Sequence, residues 1–216
     1  MTGTGDHVPL IDVAALRRDA ASTAAAETVA AMDAACTGTG FFVIAGHGVD
    51  GPVAGVFAAA RAFFADRMYD PQCFLRLIHA PPRPRAGDET TGAHTDYGAI
   101  TLLATDGVPG LEVRPLGGDW VPVEAPAGSL VVNLGDMLAR WTNLRYASTP
   151  HRVVPVADEP RYSVPFFVNP DADTLVACIP SCVDAGHPCR FEPITAGAFL
   201  HGRIDGTIPT GDGTHR

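Results

Sequence analysis

From Phe74 to Val168 the chain is cut into short apolar runs separated by Gly, Pro and Asp. This punctuation rules out a helical bundle. The runs are Leu75–Ala80, Ala99–Ala104, Leu111–Val113, Trp120–Val123, Ser129–Leu134, His151–Val154 and Tyr162–Val168. Gly117-Gly118-Asp119 supplies a hairpin turn between two of them. Runs of this length and spacing predict an all-β sandwich or barrel.

The flanks read differently. Val8–Val13 suggests a short strand and Thr23–Cys36 a helix with Val29, Met32 and Cys36 on its buried face. Gly38 and Gly40 stop that helix. Phe41–Ala45 is a compact apolar run, expected as a buried strand ending in the turn Gly46-His47-Gly48. A second helix is expected over Gly51–Arg67, with Val53, Val56, Phe57, Ala60 and Phe64 as its stripe. Pro193–His201 predicts a terminal helix, followed by a polar, Gly-rich tail. The whole chain, 1–216, is thus expected as one domain: an N-terminal strand and helix region over 1–70, and a β core with its final helix over 74–204.

The formal net charge of −9 argues against a nucleic-acid partner. No apolar stretch approaches the ~20 residues that span a bilayer. The polar segment Met1–Val8 has no basic region leading into an apolar run, so no signal peptide is expected. Cys36, Cys73, Cys178, Cys182 and Cys189 are odd in number, which predicts reduced thiols in a cytoplasm.

One His-x-Asp occurs, His94-Thr95-Asp96. In extended backbone, residues two apart point to the same side, so an imidazole and a carboxylate aim at one point. His151, opening another strand-like run, is the best third ligand. Two histidines and a carboxylate form a facial triad for iron(II) that leaves three coordination positions open. The competing reading of His-x-Asp is a pair of satisfied polar side chains. Ten residues on, Arg161 and Ser163 share one strand face. A guanidinium fork with a neighbouring hydroxyl suits a carboxylate, as in 2-oxoglutarate. The alternative is an Arg paired to an acidic residue of this chain.

Other candidates carry less. His47 and Asp136 read as turn or capping residues. Cys178, Cys182, His187 and Cys189 make a weak zinc set, because their spacing lacks paired Cys-x-x-Cys. Trp141, Phe166, Tyr97, Leu103 and Leu111 read as packing.

VPLIDVAAL, GFFVIAGHGV, GAHTDYGAITLLATDGVPGLEV, GSLVVNLGDMLARWTN, STPHRVV, RYSVPFFVNPDAD and PITAGAFL occur in that order. As a set they resemble the isopenicillin N synthase-like branch of the iron(II)/2-oxoglutarate-dependent oxygenases, over nearly the whole chain. The resemblance implies a mainly β fold, a double-stranded β-helix (jelly-roll) core with helices outside. It implies iron(II) ligation by His94, Asp96 and His151, and cosubstrate binding by Arg161 and Ser163. It implies use of 2-oxoglutarate and O2 on a C–H bond of a small molecule, such as an amino acid or natural-product intermediate, ending in hydroxylation, desaturation or cyclisation. An oxidase that does not use 2-oxoglutarate, and a non-catalytic metal-binding accessory protein, stay open.

Two departures from the family stand out. The elements usually found between Arg67 and Leu75 are missing, which opens the pocket and suggests a homodimer or carrier protein as cover. Ala80 replaces the Tyr often found before Pro81, and His79 is the candidate substitute.

Overall fold

The computed structural model describes residues 8–48, 72–82, 91–126, 128–154 and 159–208. The predicted helix Gly51–Arg67, residues 68–71 of the shortened stretch after it and the tail from 209 lie outside these residues.

The N-terminal region runs β1 (Leu10–Asp12), α1 (Ala14–Arg18), α2 (Thr23–Thr37) and β2 (Phe41–Ala45). The sequence reading misses α1, a single turn too short to show periodicity. Ser22 caps α2, its hydroxyl accepting from the Ala25 amide at 3.2 Å. On α2, Ala25, Ala35 and Cys36 are buried and Met32 packs beside them, but Val29 is 53% exposed. The buried stripe is therefore narrower than the pattern predicts.

The core follows as β3 (Cys73–Leu75), β4 (Ile78–Ala80), β5 (Thr91–His94), β6 (Ile100–Thr105), β7 (Leu111–Val113), β8 (Val121–Pro122) and β9 (Leu130–Leu134). Helix α3 (Asp136–Trp141) leads to β10 (His151–Val153) and β11 (Arg161–Val168). The short pair β12 (Leu175–Val176) and β13 (Ile194–Thr195) precedes α4 (Ala196–Ile204). Six of the seven apolar runs each hold one strand. The run Leu75–Ala80 instead straddles β3 and β4. The short strand β5, which carries His94, is polar and escapes the pattern.

The strands form two principal sheets. The larger has the order β1-β2-β9-β6-β11-β3, with β4 also on β11; the smaller is β5-β10-β7-β8. Antiparallel pairing dominates, with β1–β2 the parallel exception. Strand alternation then divides the core in two. Phe41, Val43 and Val131 of the larger sheet pack with Leu111, Val113 and Val123 between the sheets. Phe42, Val132, Leu134, Phe166 and Val168 face the other way, against Cys36 of α2, Met137 and Trp141 of α3, and Phe199 of α4. Trp141 and Phe166 are core residues, as expected. All five residues of β9 are buried because both its faces are covered. This is the jelly roll with outer helices that the resemblance implies.

The cysteines depart from expectation. Cys178 and Cys189 form a disulfide with Cα atoms 6.0 Å apart, while Cys36, Cys73 and Cys182 are not disulfide-bonded. This corrects the expectation of reduced thiols throughout, and it removes two donors from the zinc set. Asn143 holds the same loop, its Nδ2 donating to the carbonyls of Cys182, His187 and Pro188.

Burial, with Asp33 nearby, pushes the Cys36 thiol up to about 12. It is therefore protonated throughout the working range. Iodoacetamide at about pH 8 should leave Cys36 unmodified in the folded protein and alkylate it after denaturation, read by peptide mass spectrometry. Rapid labelling of native protein would show that α2 does not pack as described.

Candidate metal centre and adjoining cavity

His94 and His151 are direct cross-strand partners on β5 and β10. Their rings lie 4.4 Å apart, centroid to centroid. Asp96 follows in the turn that leaves the smaller sheet and enters the larger one at β6. One oxygen of Asp96, Oδ1, stands 4.0 Å from His94 Nε2 and 3.7 Å from His151 Nε2. One donor atom from each of the three residues lies within 4.8 Å of the other two, so one ion between them can touch all three.

The surroundings fix these donors in the form a metal needs. The other Asp96 oxygen, Oδ2, accepts from Thr101 Oγ1 at 2.5 Å and Asn133 Nδ2 at 2.6 Å. His94 Nδ1 lies 2.8 Å from the Gly92 carbonyl, and His151 Nδ1 3.2 Å from that of Thr149. A carbonyl only accepts, so each Nδ1 carries a proton, which in a neutral ring leaves the lone pair on Nε2. Burial pushes the His151 pKa down, and neighbouring His94 adds to this, while Asp96 and the Thr149 carbonyl oppose it. The neutral, metal-binding imidazole is the favoured form. The donor set and its second layer thus fit a divalent ion with open positions.

The backbone of the metal turn is held from α3. The Asp136 amide donates to the Asp96 carbonyl at 2.8 Å, and Met137 to those of Tyr97 and Gly98. The Asp136 carboxylate accepts from Thr95 Oγ1 at 3.1 Å and Arg203 Nη2 at 2.5 Å. Asp136 is therefore a buried tie between α4 and the metal turn, more than the cap the sequence suggests. A Cβ at Gly135 would collide with the Gly98 carbonyl, so this approach requires glycine.

Arg161 and Ser163 lie on the inner face of β11, both 4% exposed. Arg161 donates from Nε to the Val108 carbonyl and from Nη1 to Ser163 Oγ, each at 3.2 Å. Among the described residues no carboxylate oxygen comes within 4.0 Å of its guanidinium. The reading of Arg161 as an intrachain ion pair is thus not realised. Asp106 influences it from outside the cavity, its carboxylate taken by the Tyr162 and Val108 amides. Ala80 pairs directly with Arg161, whereas His79 faces outward and stacks on Tyr162 at 4.8 Å. His79 does not replace the absent Tyr hydroxyl.

The three donors, Arg161 and Ser163 share one cavity of about 220 Å³. Leu103 and Leu111, expected only as packing, also line it, as do Thr101, Asn133 and Arg76. Asn133 has a sequence signal: it interrupts the apolar strand Leu-Val-Val-Asn-Leu. His47 is structural, bonding the Gly128 carbonyl at 3.0 Å.

The 2OG-Fe(II) oxygenase superfamily profile matches residues 71–170, and that of the non-haem dioxygenase in morphine synthesis N-terminal region matches 8–69. A 2-oxoglutarate-Fe(II) type oxidoreductase, hxnY of Emericella nidulans, is 41% identical over 133 residues, 59% of this chain and 38% of that protein. Gibberellin 20 oxidase 3 of Oryza sativa subsp. japonica is 42% identical over 146 residues, 65% of this chain and 39% of that protein. The chain thus spans about two fifths of the length of these relatives. A 2OG-Fe(II) oxygenase family protein from Caulobacter crescentus superposes with TM-score 0.63 at 40% identity, over 71% of this chain and 53% of that one. A full-length Neurospora crassa protein crystallised with alpha-KG and thymine superposes with TM-score 0.83 at 22% identity, over 96% of this chain and 99% of that one. At that identity it speaks for the fold alone.

Asn133→Ala should weaken manganese(II) affinity by about ten- to a hundredfold, because one hydrogen bond that orients Asp96 is lost. Isothermal titration under argon measures it. An unchanged affinity would show that Thr101 suffices to hold the carboxylate.

Proposed function

The chain belongs to the 2OG-Fe(II) oxygenase superfamily, and from that premise we propose that it is an iron(II)- and 2-oxoglutarate-dependent dioxygenase. Its substrate in this reading is a small organic molecule, such as an amino acid or natural-product intermediate, attacked at a C–H bond. The observation that carries the proposal is the shared cavity. It holds three metal donors at one end and a buried Arg161–Ser163 pair, with no close carboxylate among the described residues, at the other.

His94, Asp96 and His151 would hold the iron and leave positions open for the cosubstrate and O2. The metal supplies the activation of O2 that is coupled to conversion of 2-oxoglutarate to succinate. Arg161, oriented by Val108 and Ser163, takes the remote carboxylate and so fixes which end of the cosubstrate faces the metal. Phe41, Leu103, Leu111 and Val153 exclude water from the space between.

Ala80 supports a second reading, an oxidase without 2-oxoglutarate, because it leaves one flank of Arg161 apolar. No helix among the described residues is long and apolar enough to cross a membrane. A cytoplasmic location goes with an iron(II) site that needs reducing surroundings. The Cys178–Cys189 pair argues the other way.

Anaerobic addition of iron(II) and 2-oxoglutarate should raise a visible charge-transfer band, with succinate formed once air and substrate are admitted. Arg161→Gln should raise the 2-oxoglutarate Kd by about ten- to a hundredfold, the loss of a charge-assisted pair. His94→Ala should abolish iron binding. No band and no succinate would rule out 2-oxoglutarate use.

A further inference from the structure

A second arginine lines the cavity and has no role in the reading above. β3 and β4 form one extended edge along β11. Phe74 opposes Phe167, Ile78 opposes Ser163 and Ala80 opposes Arg161. Between them the Arg76 amide donates to the Pro165 carbonyl at 3.0 Å. Strand alternation therefore turns Arg76, with Ile78 and Ala80, into the cavity. The Arg76 guanidinium lies 5.7 Å over the Phe167 ring. Phe167 is the cross-strand partner of Thr101, which bonds the metal-side Asp96. Pro165, the partner of Arg76, lies four residues beyond Arg161 along β11, about 13 Å at the rise of a strand. The two arginines therefore serve different ends of the cavity.

Charge separates them further. With a divalent ion and dianionic 2-oxoglutarate in place, Asp96 and the cosubstrate neutralise the ion and Arg161. Arg76 keeps its charge: among the described residues no carboxylate lies within 4.0 Å of it. The remaining wall beside it is apolar, made of Ile78, Leu103, Pro165 and Phe167.

Building on the dioxygenase reading, we propose that the primary substrate is a monocarboxylate with a largely apolar body, and that Arg76 binds its carboxylate near the metal end. The fork of the guanidinium takes both oxygens, and the apolar body lies along Ile78 and Leu103. Arg76 is a specificity residue, separate from cosubstrate binding.

The test uses protein loaded with redox-inert, diamagnetic zinc(II) and saturating 2-oxoglutarate, which blocks Arg161. Straight-chain and aryl monocarboxylates of four to ten carbons are titrated beside their primary amides, with binding read by saturation-transfer NMR. At least one acid should bind about tenfold more tightly than its amide or better. Arg76→Gln should erase that preference, Arg76→Lys should keep part of it, and both should leave 2-oxoglutarate affinity within about twofold. Equal binding of acid and amide, a preference that survives Arg76→Gln, or no acid binding below about 1 mM overturns the proposal. The two readings fail separately. If 2-oxoglutarate itself does not bind, the dioxygenase reading falls, while the acid–amide comparison between native and Arg76→Gln protein still decides Arg76.

Discussion

The turn from Thr95 to Ala99 is one of the crossings between the two sheets, and its backbone is held by the first amides of α3. Those amides would otherwise be unsatisfied in a buried position. The carbonyls of Asp96, Tyr97 and Gly98 would be equally stranded as the chain crosses between sheets. Each set solves the other's problem. The result fixes Asp96 between His94, on the smaller sheet, and Thr101 and Asn133, on the larger one. The metal donors thus depend on the packing of both sheets, and on α4 through the Asp136–Arg203 pair.

Much of this was legible in the residues, for identifiable reasons. Phe41–Ala45 and Leu111–Val113 have the predicted bounds because each is apolar and sharply terminated. His-x-Asp could be read because period two is a local property of extended backbone. The ties to Asp96 could not, since Thr101 and Asn133 reach it only after β6 and β9 pair. A buried polar residue in an apolar strand, such as Asn133, is nonetheless a usable signal. β5 was invisible because Thr-Gly-Ala-His has no apolar alternation; its pairing with β10 makes it a strand. The exposure of Val29 shows the converse, an apolar residue at helical spacing with no wall to meet. The Cys178–Cys189 pairing is a matter of loop path that no spacing rule predicts.

The cavity is polarised along its length. The three metal donors gather at the Thr101 end, and Arg161 with Ser163 stands toward the other. Burial lowers the Arg161 pKa, with Asp106 opposing, and a guanidinium keeps its proton in a folded protein. A buried cation without a close carboxylate is costly, and that cost is offset when an anion arrives. The site is thus arranged to bind a dianion more readily than a neutral molecule of the same size.

Arg161 and Arg76 differ in how much order each has before a ligand binds. Arg161 is buried and already fixed by Val108 and Ser163, so little side-chain freedom remains to be lost. Arg76 is exposed, and the Phe167 face is its described side-chain contact. Ordering a rotamer-rich side chain costs about 0.5–1.5 kcal/mol on binding. Equal hydrogen bonds would therefore give tighter binding at Arg161 than at Arg76. That asymmetry suits a common cosubstrate in a preformed seat, beside a substrate admitted by a side chain that can still adapt to its shape.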